Sequence, residues 1–448
     1  MRLRRYLTCP NHGQACQYPC NAPAHGLSFL AGTIKPAPAG GNAAEERIAA
    51  TVHRLYFKAM STHHTSSRPT LPVAGEDHAR LTIDLSALAD NWRAMARRSG
   101  AARTAAVLKA DAYGIGLEPA AKTFHHAGAR DFFVATPAEG VALRGVLPDV
   151  RIYVLSGMWA GSERLFFEFD LVPVIVSEEQ LVVFMAAIAD GGELPCVLHV
   201  DTGMSRLGLR VEDALALAAD TSRPASFSPL MLLSHLACGD DPGHPLNRQQ
   251  LQRFRSVVTA FDDIDATLAN SAGIFLGEDY HFTLTRPGIA LYGGAAVNDV
   301  PNPMKPVVTA EARILQVREA KAGESVSYGA STVFTRDTRI AVVALGYADG
   351  YMRSLSGSGV PLRKANIPGA SGVLHGRTVP LVGRVTMDLT HFDVTDLPAG
   401  SVRAGDFIEV FGRHMPIQDV ALAGGTIDYE LLTSLGRRYE RRYEAVKK

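Results

Sequence analysis

The sequence between residues 80 and 307 alternates between short runs of β-forming residues and stretches with helical spacing. Segment 85–98 is typical of the helical stretches, because Leu88, Trp92 and Met95 recur on one side while arginines occupy the other. Eight β-rich runs lie in this region, at residues 104–110, 131–136, 151–156, 171–176, 196–201, 230–236, 266–271 and 283–293. Eight strands that alternate with helices predict an α/β fold built on a closed (β/α)₈ TIM barrel. An open doubly wound sheet is the alternative, but no GxGxxG sequence follows an early strand.

The pattern changes on both sides of this region. After residue 307, strand-like runs recur without helices between them, and turn signals separate the runs. We therefore expect a barrel domain at 79–307 and a mostly β domain at 308–448, which closes with a short helix around Tyr429 to Arg438. Residues 1–78 hold Pro-, Gly- and Ala-rich stretches and polar runs, so we expect a disordered extension, with Met60 as a candidate translation start.

The composition limits the partners that this chain can have. Among its 448 residues, 45 Lys and Arg balance 45 Asp and Glu, so we expect neither nucleic acid nor a membrane surface as partner. No apolar run approaches the roughly 18 residues that are needed to cross a bilayer. The five cysteines are scattered, which favours a reducing cytoplasm over a disulfide framework. Cys9, His12, Cys16 and Cys20 lack the paired spacing that is typical of zinc sites, so we expect no metal.

Lys109 stands at the end of the first β-rich run, in the segment VLKADAYGIG. A buried ammonium needs a partner or a function, and the carboxyl ends of barrel strands are where catalytic groups lie. A desolvated lysine has a lowered pKa and can form an imine with an aldehyde. The alternative is a lysine that only packs at the rim of the barrel, and this segment alone leaves both interpretations open.

Further segments follow in a fixed order. They are HVDTGMSRLG (199–208), SHLA (234–237), ANSAG (269–273), RPGIALYG (286–293), VSYGA (326–330), GYADG (346–350), GRVTMD (383–388) and TIDY (426–429). Any one of them could occur by chance. The ordered set, which extends over roughly residues 80 to 445, resembles the alanine racemase family. This resemblance implies a pyridoxal-phosphate enzyme that interconverts L-alanine and D-alanine, either for cell-wall precursors or for alanine catabolism.

The resemblance also implies the cofactor contacts. Lys109 corresponds to the lysine that holds pyridoxal phosphate as a Schiff base. The phosphate dianion requires hydroxyls and backbone N–H groups, and a turn such as Asn270-Ser271 would otherwise be an ordinary cap. The residues that the resemblance implies around the phosphate are Tyr113, Ser271, Gly288, Ile289 and Tyr429.

Three cationic or titratable residues complete the implied cofactor site. Arg206 resembles the arginine near the ring hydroxyl and the substrate, and His235 resembles the histidine beside the ring, although a lone histidine after a strand is more often structural. Arg286 is implied to face the pyridine nitrogen. Since a guanidinium does not readily give up a proton, it disfavours ring-nitrogen protonation and limits side reactions such as transamination. Without the other motifs, Arg286 before Pro-Gly would be interpreted as a surface residue.

Racemisation requires that a proton is removed on one face of the substrate and returned on the other. The family pattern implies Lys109 for one face and Tyr328 for the other, with Tyr328 supplied by the second subunit of a homodimer that shares its active sites. Because the ordinary pKa of tyrosine is about 10, nearby positive charge must favour its anion. Met387 is implied to bind the substrate carboxylate and Tyr347 to line the entrance. A methionine in an apolar β run would otherwise be a core residue.

One position departs from the family pattern. Many members have a carbamylated lysine where this chain has His199, and that negative charge holds the arginine that corresponds to Arg206. Histidine forms no such stable carbamate. We therefore expect either a bound anion, such as chloride, or Asp201 to balance Arg206.

Other activities are compatible with parts of the pattern. A broad-specificity or serine racemase on the same scaffold is the nearest alternative, since substrate choice depends on a small pocket near Tyr347 and Met387. A related decarboxylase fits VSYGA and RPGIALYG less well. A non-enzymatic pyridoxal-phosphate homeostasis protein consists of a barrel alone, so the β domain that carries Tyr328 argues against it.

Overall fold

The computed structural model describes residues 78–444, with gaps at 190–192, 223–226, 263 and 357–368. The expected disordered extension and the Cys and His residues near the start lie outside the described residues. No helix in the described ranges is long and apolar enough to cross a membrane. Within the same ranges, no group of three or more His, Cys, Asp or Glu side chains is arranged to hold a metal ion.

The described chain begins with a strand, β1 (Ala79–Asp84), that leads directly into helix α1 (Leu85–Arg98). The Asp84 carboxylate starts the helix, since its side chain accepts hydrogen bonds from the N–H groups of Ser86 and Ala87, both at 2.9 Å. The apolar side of α1 is buried and its arginines face outward. The helix that the sequence predicts at these residues is therefore confirmed.

The barrel wall consists of parallel strands that follow one another around the ring. The first strand is interrupted, and its two parts are β2 (Arg103–Thr104) and β3 (Ala106–Val107). The seven others are β4 (Asp131–Val134), β5 (Arg151–Val154), β6 (Leu171–Ile175), β7 (Val197–Asp201), β9 (Met231–Leu233), β10 (Asp265–Thr267) and β11 (Leu284–Thr285), while the short β8 (Leu209–Arg210) pairs only with β7. Each strand of the ring overlaps one of the eight predicted runs, with β2 and β10 beginning one residue before theirs, whereas β8 was not predicted.

Helices connect these strands and cover the barrel. They are α2 (Leu117–Ala127), α3 (Pro137–Val146), α4 (Glu163–Glu168), α5 (Glu178–Ile188), α6 (Val211–Ala219), α7 (Pro245–Ala260) and α8 (Ser271–Phe275). The barrel closes at Thr283. Its N–H donates to the carbonyl of Ala266 at 3.1 Å, and its own carbonyl accepts from the N–H of Arg103 at 3.0 Å. These bonds join the last strands to the first, so the predicted eight-stranded barrel is confirmed.

The second domain is built around one long strand, β12 (Val308–Ala320). Its other strands are β13 (Ser325–Val326), β14 (Thr332–Val333), β15 (Thr338–Val343), β16 (Ser371–Leu374), β17 (Arg377–Pro380), β18 (Thr390–Asp393), β19 (Phe407–Phe411) and β20 (Glu440–Glu444). The main sheet has the order β17-β16-β19-β12-β1-β20, with β15 on β12, and β13 pairs with β14 as a separate hairpin. The predicted mostly β domain is therefore present.

The structure differs from the sequence-based expectation at three places. Strand β1, which the expected barrel domain includes, pairs with β12 and β20 of the β domain. The expected helix around Tyr429 to Arg438 is shorter, α10 (Asp428–Thr433). Beyond it, Gly436 lies against the backbone of Asp349, where a Cβ would be 3.0 Å from the Asp349 Cα, and its N–H donates to the Asp349 carbonyl at 3.0 Å. Another helix, α9 (Ile417–Gly424), was not predicted.

Candidate active site

A cleft of about 330 Å³ lies at the carboxyl ends of the barrel strands, where TIM barrels carry their catalytic groups. Its walls combine apolar side chains with several cations, and no aspartate or glutamate among the described residues lines it. Nine of the residues singled out from the sequence line this cleft: Lys109, Tyr113, Arg206, His235, Ser271, Arg286, Gly288, Ile289 and Tyr429. His199 lines it as well.

Lys109 lies two residues beyond strand β3, at the start of a turn that we call the lysine turn (Lys109–Tyr113). The next four residues all have left-handed backbone angles, with φ between 53° and 55°. The lysine is half-buried. Burial, followed by the positive charge of Arg206, lowers the pKa of its amine, and the negative charge of Glu139 opposes this. A lysine in such surroundings is suited to nucleophilic or base chemistry.

Arg286 is a buried cation on the floor of the cleft, with 4% of its surface exposed. Its guanidinium donates to the hydroxyl of Thr267 at 2.5 Å, to the carbonyl of Ser234 at 2.8 Å and to the carbonyl of Leu268 at 3.4 Å. All three partners are neutral. Burial lowers the pKa of Arg286 to about 9, which leaves the guanidinium charged at neutral pH. The interpretation of Arg286 as a surface residue is therefore wrong.

The two cleft histidines are neutral at physiological pH. Burial, with the charges of Arg286 and Arg206, lowers the pKa of His199 to about 3. The same causes hold the pKa of His235 well below its ordinary value. Since both imidazoles are neutral and the part of the chain that the structure describes places no carboxylate in the lining, the cavity carries net positive charge. Such a cleft favours an anionic ligand.

Asp201 does not balance Arg206. One of its carboxylate oxygens accepts the N–H groups of Gly203, Met204 and Ser205, at 2.9, 2.9 and 3.1 Å. Within the ranges that the structure covers, no ion pair joins Asp201 to Arg206. The carboxylate instead orders the loop that carries Arg206, so the expectation that Asp201 neutralises this arginine is wrong. The expectation of a bound anion stays a prediction.

One end of the cleft is formed by hydroxyls and a closely packed backbone. The Ser271 hydroxyl oxygen accepts from the N–H of Gly288 at 2.8 Å and from that of Ala290 at 3.3 Å, which leaves its hydrogen available to donate. Burial raises the pKa of Tyr113, and it raises that of Tyr429 to about 12, so both hydroxyls keep their hydrogens. A Cβ on Gly288 would lie 2.3 Å from the Tyr113 hydroxyl, so any larger residue here would force the tyrosine or the backbone to shift. These donors suit an anionic group such as a phosphate.

The three remaining residues singled out from the sequence do not line this cleft. Tyr328, Tyr347 and Met387 lie in the β domain and are 70%, 43% and 54% exposed. Tyr328 follows strand β13 in the turn to β14, whereas the segments of Tyr347 and Met387 are hydrogen-bonded to each other. The interpretation of Met387 as a core residue is therefore wrong. All three side chains are therefore exposed and outside the lining of the cleft that holds Lys109 of the same chain.

Two residues near the lysine were not found by the sequence analysis. Glu139 lies on helix α3 and contacts the lysine turn. The sequence Thr136-Pro-Ala-Glu139 is a capping-box pattern, which could have indicated a glutamate at the start of this helix. Tyr292 stacks on Tyr113 with ring centroids 4.4 Å apart and donates to the carbonyl of Val107 at 2.7 Å. Nothing in the local sequence indicates that stacking partner.

Comparison with known families decides the identity of this fold. The model described as "Alanine racemase, N-terminal domain" matches residues 83–296, and the model described as "Alanine racemase, C-terminal domain" matches residues 307–443. The chain belongs to the alanine racemase family. The match covers both domains in order, in agreement with the ordered segments in the sequence.

Individual alanine racemases are similar along most of their length. The chain is 69% identical to the alanine racemase of Rhizobium meliloti over 365 residues, which cover 82% of this chain and 96% of that protein. It is 63% identical to the biosynthetic alanine racemase of Agrobacterium fabrum, over 81% of this chain and 93% of that one. Among solved structures, the alanine racemase of Bartonella henselae with covalently bound pyridoxal phosphate aligns with a TM-score of 0.76 and 36% identity, over 82% and 99% of the two chains.

Proposed function

We propose that this protein is a pyridoxal-phosphate-dependent alanine racemase that interconverts L-alanine and D-alanine. The observation that carries the proposal is the position of Lys109, whose amine has a lowered pKa, in a cleft whose described lining holds cations and hydroxyl donors but no carboxylate. The alanine racemases of Rhizobium meliloti and Agrobacterium fabrum support the reaction. The biosynthetic name of the second supports a role in supplying D-alanine for the cell wall.

The residues present fit the cofactor. The end of the cleft formed by Ser271, Gly288 and the Tyr113 hydroxyl has the donors and the close backbone that a phosphate requires, and Ile289 and Tyr429 border the same space. Lys109 would hold the cofactor covalently. When bound, pyridoxal phosphate supplies an electron sink for the pair that is left when the α-proton is removed.

The buried cation would tune this chemistry. Arg286 is already held by three neutral acceptors, so its guanidinium has a fixed orientation and keeps its proton. Facing the ring nitrogen, it would disfavour protonation there and so disfavour side reactions. His235 would pack beside the ring as a neutral imidazole, since its pKa is held far below neutrality. Arg206 would bind the ring hydroxyl side and the substrate carboxylate.

Two groups would move the α-proton. Lys109 would act on one face of the substrate, since its lowered pKa increases the fraction of free amine at neutral pH. Tyr328 of the partner subunit would act on the other face. The large exposure of Tyr328, Tyr347 and Met387 supports a homodimer in which these side chains complete the cleft of the second copy. There, Met387 would contact the substrate carboxylate and Tyr347 would line the entrance.

The proposal includes a cytoplasmic location and no nucleic-acid or membrane partner. Cys196 and Cys238, the two cysteines within the described ranges, are free thiols, which is typical of a reducing compartment. The formal net charge of zero offers no attraction to polyanions.

The reaction can be tested directly. Purified protein reconstituted with pyridoxal phosphate is incubated with L-alanine in D₂O. The two enantiomers are separated by chiral chromatography, and the mass of the product is measured by mass spectrometry. We expect D-alanine that carries deuterium at the α-carbon, and we expect the Lys109→Ala variant to produce none. L-Serine, assayed in parallel, distinguishes a serine racemase. If the wild-type protein turns over neither amino acid, the proposed function is wrong.

A mixed dimer tests whether the two bases come from different subunits. Lys109→Ala and Tyr328→Phe are each expected to be inactive, and they are unfolded and refolded together in equal amounts. A hybrid then contains one cleft with both native residues, so the mixture should recover roughly a quarter of wild-type activity if pairing is random. If Tyr328 served the cleft of its own chain, neither cleft of the hybrid would be complete. No recovery, from a mixture that sediments as dimers, would refute the shared site.

A further inference from the structure

The lysine turn has a backbone that requires support from outside. Ala110, Asp111, Ala112 and Tyr113 have φ values of 54°, 53°, 54° and 55°. Each left-handed L-residue is energetically unfavourable because its Cβ approaches the following carbonyl, and four in succession are rare. Such strain persists only where the surrounding structure holds it.

Glu139 provides part of this support from the neighbouring barrel segment. One oxygen of its carboxylate accepts the N–H of Ala110, the residue after Lys109, at 2.8 Å. The other oxygen accepts the N–H groups of Ala135 and Thr136, at 2.7 and 3.2 Å. An ordinary capping-box glutamate bonds only the backbone at its own helix start. Here the same carboxylate also bridges the loops that follow the first and second barrel strands.

Glu139 is the acidic group whose charge acts on the amine of Lys109. Within residues 78–444, the gaps aside, no carboxylate lines the cleft. Burial and Arg206 both lower the pKa of Lys109, and Glu139 is the group that raises it. The hydrogen bond from Ala110 to Glu139 and the negative charge of Glu139 therefore both affect Lys109.

We propose that Glu139 is a positioning residue for Lys109, since its carboxylate holds the left-handed turn against the adjacent barrel loop and keeps a negative charge near the amine. The inference rests on the proposed role of Lys109. A racemase lysine must hold the cofactor and then serve as a base, so both its position and its proton affinity matter. Glu139 sets both without touching the reacting atoms.

The chain contains two matched controls. Tyr443 stabilises the chain just after the lysine turn, since its hydroxyl donates a hydrogen bond to the carbonyl of Ile115 at 2.8 Å. The variant Tyr443→Phe loosens the loop without removing a charge. Thr136 accepts the N–H of Glu139 at 3.3 Å in the same capping box. The variant Thr136→Ala weakens the helix start and leaves the carboxylate in place.

The test compares Glu139→Gln with both controls in the cofactor-free protein. Lys109 is acetylated with acetic anhydride over a range of pH, and its modification is measured by peptide mass spectrometry, because only the free amine reacts. We expect the midpoint for Glu139→Gln to move to lower pH, so that below the wild-type midpoint Lys109 reacts roughly threefold or more faster. The midpoints of Tyr443→Phe and Thr136→Ala should stay at the wild-type value. A common midpoint for all four proteins would overturn the inference.

Holoenzyme kinetics give a second readout. In Glu139→Gln, the limb of the pH–rate profile that belongs to Lys109 should move in the same direction, and kcat should fall more than KM rises. If Glu139→Gln does not fold, Glu139→Asp keeps the charge but shortens the side chain, so it loses the bond to Ala110. We then expect a lower kcat with a smaller pH shift, and wild-type kcat would contradict the bridging role.

The two proposals fail in different ways. If Lys109→Ala still retains the cofactor and racemises alanine, the proposed function of Lys109 is wrong. If Lys109→Ala is inactive but Glu139→Gln has the wild-type midpoint and pH profile, only the role of Glu139 is wrong.

Discussion

Gly288 occupies a position where a single methyl group should disturb the cofactor end of the cleft. A Cβ there would lie 2.3 Å from the hydroxyl oxygen of Tyr113 and 3.1 Å from its Cζ atom. Tyr113 cannot simply move away, because its buried ring stacks on Tyr292, which is itself held by a hydrogen bond to the carbonyl of Val107. Overpacking of this kind costs about 1–3 kcal/mol. We therefore expect Gly288→Ala to lower the free energy of unfolding by that amount.

The assay is urea unfolding of the cofactor-free protein, with Gly145→Ala as the matched control. Gly145 lies near the end of helix α3, and a Cβ there would meet nothing within 4 Å. The same chemical change should therefore be neutral or stabilise by up to about 1 kcal/mol. With cofactor present, Gly288→Ala should also bind pyridoxal phosphate about 5- to 150-fold more weakly, since the displaced tyrosine and backbone belong to its proposed phosphate end.

A double variant isolates the contact that is responsible. Tyr113→Phe removes the hydroxyl oxygen, after which the nearest remaining atom lies at 3.1 Å, a distance that small shifts can relieve. Gly288→Ala combined with Tyr113→Phe should thus be more stable than the sum of the two single effects predicts. Additive effects, or equal stability of Gly288→Ala and Gly145→Ala, would refute the steric argument.

Two further predictions concern the cationic side of the cleft. The pKa of His199 is about 3 in the folded protein, against an ordinary value of 6.5. Between these two pH values the unfolded chain binds a proton at this residue and the folded chain does not. The free energy of unfolding therefore falls as pH drops from 6.5 towards 3. Between pH 7 and pH 5 urea unfolding should show His199→Asn losing about 2 kcal/mol less than wild type, and parallel pH curves would contradict this. Asp201→Ala removes three hydrogen bonds from the backbone of residues 203–205, so amide hydrogen exchange there should accelerate. Because the same loop positions Arg206, the KM for alanine should also rise. Unchanged exchange would show that other contacts order the loop.

The secondary structure of the barrel was predictable because its signals are local. Helix α1 has its buried side chains at helical spacing and an aspartate at its start, and both features lie within one short segment. The β-rich runs are similarly short, and their alternation with helices left few architectures to consider. The same local information failed near the end of the chain, where helix α10 ends at Thr433 and the following Gly436 is hydrogen-bonded to the distant backbone of Asp349.

The candidate site was predictable where a residue follows a barrel strand. Lys109 and Arg286 both lie just beyond strand ends, and such ends converge on one face of a barrel. Eight of the nine residues that meet in the cleft come from the barrel, and Tyr429 reaches it from helix α10. The electrostatic pairing was not predictable. Asp201 is close to Arg206 in sequence, yet its carboxylate is engaged by the intervening backbone. Glu139 is 29 residues from Ala110 and nevertheless bonds to it.

The sequence by itself determined the alternation of barrel strands and helices, the change to a strand-rich region after residue 307, and the position of a lysine at the end of the first barrel strand. Only the tertiary structure decided that β1 joins the β domain, between β12 and β20, that Arg286 is buried among neutral acceptors, and that Tyr328 faces outward. The physical reason is the range of the interactions. Backbone periodicity and capping are encoded within a few residues, whereas burial, ion pairing and strand partners depend on which distant parts of the chain pack together.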